Sequence, residues 1–384
     1  MKKTVAVICE YDPFHRGHQC QLARIRERFG ADAAVIALMS GDVVQRGRPA
    51  LYPKAARAEA ALRCGCDLVL ELPAPYSCGS AEIFADGAVS ILSRLGGIDC
   101  LAFGSESDGD TLLGAARILE SEAYRAKMAD APPTESYARN AERIFYELGG
   151  TMFPTEPNDI LAVAYLRALD RTGAPIEPFP HRREEGFSAT AAREAIRRGE
   201  DPASCLPAEA AAVLSKYTPT VSPLPAARYD AAALHTLRET PLETLSAFAG
   251  LGGGVAGLLQ KQAFEAAGVE ELVSAATSRI YPSARIRRAI LSAVLAITPA
   301  DLKRPPSFTR VLAAGPRGRA YLASIRKTAA IPIVTKPAAG RLLDGTGPDD
   351  RASRLMALLT GEPAAAAMTR GPVVENGDYL GTLF

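Results

Sequence analysis

Val5-Ala6-Val7-Ile8-Cys9-Glu10-Tyr11-Asp12-Pro13-Phe14-His15-Arg16-Gly17-His18 decides how the rest of the chain is read. It opens with an apolar, β-branched run, the pattern of a buried strand. Asp12-Pro13 breaks that run. His15-Arg16-Gly17-His18 then begins a helical pattern carried by Gln21, Leu22, Ile25 and Phe29. A strand ends, the chain turns tightly, and two imidazoles stand at a helix N-terminus. Such an end carries unpaired N–H groups and the positive end of the helix dipole, so it draws phosphate. Gly17 lets the backbone approach a ligand. The spacing puts both rings on one side, placed to stabilise charge on a leaving pyrophosphate. Ordinary surface histidines are the plain alternative. Against it, the chain has only four histidines, and two of them share this motif. Metal binding fits less well, because no Cys, His or carboxylate set surrounds the pair at ligand spacing.

The flanking residues repeat the strand-then-helix order. Ala33 to Met39 is a second apolar run, followed by the polar loop Ser40-Gly41-Asp42-Val43-Val44-Gln45-Arg46-Gly47-Arg48-Pro49. Lys54 to Cys64 has high helix propensity. Asp67 to Pro73 is a third strand, stopped by proline. Ser80 to Leu95 is a helix with Ser80 as its cap, and Asp99 to Phe103 is a fourth strand ending at Gly104-Ser105-Glu106. This alternation predicts an α/β fold, a parallel sheet with helices on both faces. Ligands in such sheets sit beyond the C-terminal strand ends at the switch point, where the histidine pair and Gly104 both fall. Residues 108–170 read as mostly helical, closing with a helix begun by Asn158. The prolines of 175–181 suit an edge strand. Ser188 to Arg198 reads as a further helix, stopped by Gly199.

Composition narrows the class. With 48% hydrophobic and 23% charged residues, the chain reads as soluble and globular. No apolar run reaches the roughly 20 residues that span a bilayer, and the polar start is no signal peptide. Seven cysteines scattered among apolar neighbours suit a reduced, cytoplasmic protein. Cys64 and Cys66 are too close for a CxxC motif and read as fillers.

Charge is unevenly spread. Residues 205–384 carry 20 Lys and Arg against 14 Asp and Glu, whereas residues 1–204 carry 24 against 29. Within 279–341, thirteen bases face one acid, Asp301. The bases include Arg279, Arg285, Arg287, Arg288, Lys303, Arg304, Arg310, Arg317, Arg319, Arg326 and Lys327, with Phe308 and Tyr321 interleaved. Solvated faces usually mix signs, so this segment points to a polyanion such as nucleic acid. A plain solvated surface is the alternative. No RNA-binding module signature is present, which leaves recognition by shape and phosphate. Pro, Ser and Gly become frequent over 199–227. That sets a boundary near 205, between an α/β unit (1–204) and a mainly helical, basic unit (205–384).

Ser188-Ala189-Thr190-Ala191-Ala192-Arg193 puts hydroxyls at a helix start with an arginine following. Alone, it is an ordinary capped helix. After a nucleotide-type sheet and a histidine motif, Ser188, Thr190 and Arg193 read as a second phosphate clamp. The loop Gly41 to Gly47, with Lys54 and Arg57, is either solvated or a holder for an acyl group or the α-phosphate.

Together these motifs resemble the nucleotidylyltransferase superfamily. More closely, Glu10 to His18, Ser40 to Gly47, Arg57-Ala58-Glu59, Asp67 to Pro73, Ser80-Ala81-Glu82, Phe103 to Glu106, Pro157 to Leu161 and Ser188 to Arg193 resemble the bacterial tRNA(Met) cytidine acetate ligase family. The resemblance continues more weakly through Thr277 to Ile280 and Arg285 to Arg288. It implies a Rossmann-like nucleotidyltransferase domain of the HUP type, with a helical tRNA-binding domain. It also implies an activity: ATP and acetate give acetyl-adenylate, and the acetyl group passes to N4 of the wobble cytidine, C34, of elongator tRNA(Met). His15 and His18 would be catalytic. By the same resemblance ATP would be lined by Ile8, Cys9, Glu10, Tyr11, Asp12, Pro13, Phe14, His15, Arg16, Gly17, His18, Gln19, Cys20 and Gln21, with Gly104, Asn158 and Arg183, and Arg182 as the fallback for Arg183. Arg279, Arg285, Arg287, Arg288, Arg310 and Arg319 would meet tRNA. Mg2+ would accompany ATP without a protein metal site, and no stable protein partner is implied. Asp12 and Asp42 depart from the family's Asn and are expected to add negative charge near the phosphates.

The reading from residues alone leaves rivals. One is a small-molecule adenylyltransferase of the same superfamily, which would leave the basic segment unexplained. Another is a non-catalytic RNA-binding protein with a vestigial nucleotide pocket.

Overall fold

The computed structural model describes residues 3–132, 137–183, 186, 189–200, 205–336 and 343–374. Its main sheet contains β1 (Thr4–Cys9), β2 (Ala34–Ser40), β5 (Leu68–Leu72), β6 (Cys100–Ser105), β7 (Glu177–Arg182), β8 (Thr309–Ala314), β9 (Ile333–Val334) and β10 (Val373–Val374); β3 (Val43–Val44) and β4 (Arg48–Pro49) form a separate hairpin. The strand order is β10-β8-β5-β2-β1-β6-β7, with β9 beside β8. Strands β5, β2, β1, β6 and β7 run parallel, in the expected register of a doubly wound core. β7 lies at the edge, where its prolines cost no ladder bonds.

The central strands β1, β2, β5 and β6 are mostly apolar because both faces are covered. Ile36, Leu38, Leu68 and Leu70 point into a layer with Phe84, Val89 and Leu92 of the helix Ala81–Leu95. Val35, Ala37 and Met39 point the other way, onto Leu22 and Ile25 of the helix Arg16–Phe29 and Ala58 of the helix Lys54–Arg63. Leu38 has no exposed surface, so its truncation to Ala would cost roughly 2–5 kcal/mol. A third apolar cluster joins Leu237, Leu259, Leu272, Ile286 and Ile290, the core of a helical bundle over 223–294. Among the described residues no helix is long and apolar enough to cross a membrane.

The division expected near 205 is not a division of the core. Leu206, Ala210 and Val213 pack with Leu62 and Val69 in the sheet's second layer. The Thr220 amide donates to the Leu51 carbonyl at 2.9 Å. Further on, β8 enters the main sheet antiparallel to β5. Phe308 and Tyr321, expected among exposed bases, are buried. The arginines of 302–336 had masked an apolar strand: Val311, Leu312, Ala313 and Ala314 are buried despite the charge around them. The helical bundle is thus a middle segment, with sheet strands before and after it.

Chain direction explains where a ligand can sit. From β1 the chain adds β2 and β5 on one side and β6 and β7 on the other. The switch point therefore lies at the C-terminal ends of β1 and β6, at Cys9 and Ser105.

Candidate active site

A cavity of about 460 Å³ opens at this switch point, within the range of nucleotide-sized pockets. Among the residues bordering it are Ile8, Cys9, Glu10, Tyr11, Asp12, His15, Gly17, His18, Cys20 and Gln21 from the opening stretch, with Gly104, Asn158, Arg182, Arg183, Thr190 and Arg193. Of the expected lining, Pro13, Phe14, Arg16 and Gln19 do not border it. Phe14 is buried in the apolar core, and Arg16 and Gln19 lie on the exposed side of their helix. Ser188 lies outside the described residues.

The two histidines cap their own helix. The Gly17 amide donates to His15 Nδ1 at 3.1 Å, and the His15 amide donates to His18 Nδ1 at 3.2 Å. This is a reciprocal capping box built from imidazoles. The Arg16 amide donates to the Cys205 carbonyl at 3.0 Å and the His18 amide to the His15 carbonyl at 2.9 Å. The amides expected to await phosphate are therefore occupied. What faces the cavity instead is imidazole. Because each Nδ1 accepts, a neutral ring carries its proton on Nε2. Neither Nε2 has a hydrogen-bond partner among the described residues.

The rings stack with centroids 3.7 Å apart, and Tyr11 meets His18 edge-on at 4.8 Å. Burial, with Arg183 and Arg193 nearby, pulls His15 down to about 4. Burial and His15 itself hold His18 well below the ordinary histidine range. At neutral pH the site thus presents two uncharged Nε2–H donors.

Asp12 borders the cavity, but its carboxylate is taken up elsewhere. Oδ2 accepts from Arg48 at 2.6 Å and Oδ1 from the Leu51 amide at 2.5 Å. Burial raises its pKa, yet Arg48, Arg57 and the Leu51 amide outweigh burial and hold the carboxyl below its usual value. Asp42 is not at this cavity. It accepts from the Lys54 amide at 2.9 Å, capping the helix Lys54–Arg63 from a distance, and from Ser353 at 3.0 Å. Neither aspartate adds the free negative charge expected beside phosphate. Glu10, which does border the cavity, accepts from the Gln45 amide at 2.7 Å. Burial and then Asp12 raise its pKa, which weakens its repulsion of an anion.

On the opposite wall, Arg193 donates to the Asp12 carbonyl at 2.9 Å and to Thr190 Oγ1 at 3.0 Å. The expected second clamp therefore reaches the first. Gly104 leaves room that a Cβ would fill, 2.8 Å from Arg183 Cγ. Asn158 Nδ2 donates to Glu106 Oε1 at 2.5 Å, with Arg183 3.4 Å from the same oxygen. Asp159 accepts from the Glu106 and Ser107 amides at 2.9 and 3.1 Å and so fixes the turn after β6. Glu106 Oε2 is buried without a partner, as is His181 Nδ1. Glu106, expected only at the end of its strand, and His181, for which no role was expected, both border the cavity, as do Gln45 and Arg46 of the loop read as either solvated or a holder for an acyl group or the α-phosphate. For His181 the signal was present: a strand at 175–181 parallel to β6 ends beside Gly104.

Lys54 and Arg57 are structural. Arg57 is fully buried and donates to the carbonyls of Glu10, Ser40, Gly41 and Tyr52, tying the ends of β1 and β2. Lys54 lies 2.6 Å from Glu71 in a cluster with Arg310 and Asp349. Arg310 meets Asp349, Glu71 at 3.3 Å and Asp350 at 3.2 Å. Its guanidinium is committed to the fold and not to an RNA face.

Among the other expected RNA contacts, Arg279 and Arg285 are exposed, with Arg285 lying 4.9 Å over the Tyr281 ring. Arg287 pairs with Glu270, Arg288 is half-buried, and Arg319 sits part-exposed on the helix Pro316–Ile325. Among the described residues no group of three or more His, Cys, Asp or Glu side chains could hold a metal ion.

The model of the HIGH Nucleotidyl Transferase family matches residues 1–367. A protein of Syntrophotalea carbinolica named tRNA(Met) cytidine acetate ligase is 36% identical over 369 residues, covering 87% of this chain and 84% of its own. One of the same name from Listeria welshimeri is 32% identical over 385 residues, covering 94% and 95%. This chain belongs to the tRNA(Met) cytidine acetate ligase family of HIGH nucleotidyl transferases. The crystal structure of Thermotoga maritima TmcAL bound with alpha-thio ATP (Form II) superposes with a TM-score of 0.88 at 27% identity, over 97% of this chain and 99% of that one.

Proposed function

We propose that the protein activates acetate with ATP and passes the acetyl group to N4 of C34 of elongator tRNA(Met). The observation that carries this reading is the stacked histidine pair, uncharged beside the cavity, whose Nε2–H donors have no partner among the described residues. The triphosphate would lie across His15, His18, Thr190 and Arg193. The nucleoside would lie toward Gly104, Asn158 and Arg183. An acetate oxygen attacks the α-phosphorus, the bond to the bridging β-phosphate oxygen breaks, and pyrophosphate leaves. The two imidazoles donate to phosphate oxygens as charge builds, without the cost of burying a cation. Arg193 neutralises the departing pyrophosphate. The cytidine N4 then attacks the acetyl carbonyl, AMP leaves with the C–O electron pair, and the amino group loses a proton.

Mg2+ suits a triphosphate, but the described residues provide no ligand cluster for it. Its ligands would be phosphate oxygens and water. Acceptor RNA would dock on the exposed Arg279 and Arg285. The names of the relatives favour this acceptor over a small phosphorylated metabolite. A cytoplasmic setting follows from the acceptor.

The test is mass spectrometry of elongator tRNA(Met) incubated with protein, ATP and acetate. The expected product is one N4-acetylcytidine at C34. Turnover of ATP with another acceptor, and no acetylcytidine, would refute the assignment.

A further inference from the structure

The β3–β4 hairpin is the part of the opening motifs that the ATP site does not absorb. Its turn, Gln45-Arg46-Gly47, is closed by the Gly47 amide donating to the Val44 carbonyl at 2.9 Å. On one side the hairpin is tied to the ATP wall: Glu10 accepts from the Gln45 amide at 2.7 Å, and Arg48 pairs with Asp12 at 2.6 Å. On the other side it is embedded in the helical bundle. Val43 packs with Leu291 and Leu295. Gly47 has a φ of +75° and lies so close to the helix Ser283–Val294 that a Cβ would come 2.5 Å from the Arg288 nitrogen and 2.7 Å from the Arg287 carbonyl carbon. One short hairpin thus joins the histidine-bearing wall to the backbone of the arginine-rich helix.

Arg46 stands at the tip of that hairpin. It borders the mouth of the cavity and is exposed, and no hydrogen bond or ion pair is formed by its side chain among the described residues. Its neighbours differ in this respect. Arg48 has Asp12, Arg197 has Glu194, and Arg287 has Glu270. Arg46 and Arg48 both lie close enough to Arg193 to help burial lower its pKa, and Arg48 and Arg197 also act on Glu270. Between the nucleotide cavity and the helix of Arg285, the mouth therefore carries a concentration of positive charge, and Arg46 there has no charged partner among the described residues. Inside the cavity, Arg183 and Arg193 are the cations that the proposed function gives to the nucleotide.

We propose that Arg46 holds a backbone phosphate of the acceptor RNA at the cavity mouth, and that the hairpin sets the position of the acceptor base relative to the activated acyl group. This rests on the reading of the protein as a tRNA acetate ligase. Arg46 would thus act in transfer and not in activation. Gly47 is a positioning residue, because any side chain there pushes the tip off the helix.

The experiment separates the half-reactions in the full-length protein. Acetate-dependent exchange of labelled pyrophosphate into ATP reads activation; acetylation of tRNA(Met) reads transfer; tRNA affinity is measured across a salt series. For Arg46→Ala, the KM for tRNA should rise about tenfold, as for loss of one charge-assisted contact, with exchange changed less than about twofold. The slope of log affinity against log salt should flatten by about 0.7 to 0.9. Arg46→Lys should recover most of the loss, and Gly47→Ala should show the same split. Equal loss of exchange and transfer in Arg46→Ala would assign Arg46 to the nucleotide and overturn the proposal, as would unchanged tRNA affinity and salt slope. Wild-type protein that binds tRNA in an Arg46-dependent way but yields no acetylcytidine refutes the ligase reading while upholding the phosphate contact.

Discussion

His15→Asn separates two jobs that one side chain performs. His15 Nδ1 accepts from the Gly17 amide at 3.1 Å, and its Nε2–H is left for the ligand. Asparagine is among the best N-cap residues, so its side-chain oxygen can take over the cap. It cannot reproduce the Nε2–H donor or the ring stacked at 3.7 Å on His18. The stability cost is then the lost stacking and burial without the lost cap, about 1 kcal/mol. The activation cost is that of one preorganised donor to developing negative charge, roughly 10²–10³ in rate. His15→Ala loses the cap as well and should fall by about a further 1 kcal/mol in stability at the same rate. Urea unfolding reads the first quantity, and acetate-dependent pyrophosphate exchange reads the second. If His15→Asn exchanges within about threefold of wild type, the imidazole is only a cap, and the catalytic role assigned to the pair is wrong.

Further outcomes follow from the charges. Stability should fall as pH drops from about 6.5 to about 4, because His15 titrates near 4 in the folded chain and the unfolded chain binds the proton first. The full effect is roughly 3 kcal/mol, and urea unfolding at several pH values should show a smaller dependence in His15→Asn. Asp12→Asn removes the ionic half of the Arg48 pair and should cost about 1–2 kcal/mol; unchanged unfolding would mean that the pair contributes nothing. Arg310→Ala strands Glu71 and Asp349 with Lys54 alone and should cost about 3–5 kcal/mol. Arg279→Ala, at an exposed position, should leave stability within about 0.5 kcal/mol while flattening the salt dependence of tRNA binding. Equal stability losses in these last two variants would refute the division between a buried and an RNA-facing arginine.

The central sheet was legible because each strand carries its own boundary signal. β1 ends at Cys9, shortly before Asp12-Pro13, and β5 at Leu72, directly before Pro73, so period and punctuation agree there, whereas β6 runs through Gly104 to Ser105. The switch point follows from strand order and lies where the histidines were expected. β8 was not legible for a physical reason. Thr309 to Ala314 is short, carries Arg310, and lies among bases, so local charge outweighs its apolar run in any window reading. Its partner β5 is more than two hundred residues away in the chain, and nothing local announces the pairing. The same long range hides the fate of Arg310, whose acidic partners Glu71 and Asp349 come from both ends of the molecule. Counting bases along a sequence measures supply, whereas the field at a surface depends on which of them are already neutralised.

The two aspartates carry this point furthest. Along the chain, Asp12 sits three residues from His15, and Asp42 sits in the loop after the neighbouring strand. Proximity in sequence therefore suggests repulsion of phosphate. A carboxylate's reach is short, however, and its direction is set by its first good donor. Asp12 finds Arg48 and the Leu51 amide, and Asp42 finds the first amide of a helix. Each is thereby converted from a charge beside the ligand into a clamp on the loop that shapes the site. Asp12 does so through Arg48 of the very hairpin that carries Arg46. Weakening that clamp should then act on RNA transfer more than on activation, through the position of Arg46. An Asp12→Asn variant that loses exchange activity but keeps its KM for tRNA would break the chain of inference from carboxylate to hairpin to acceptor.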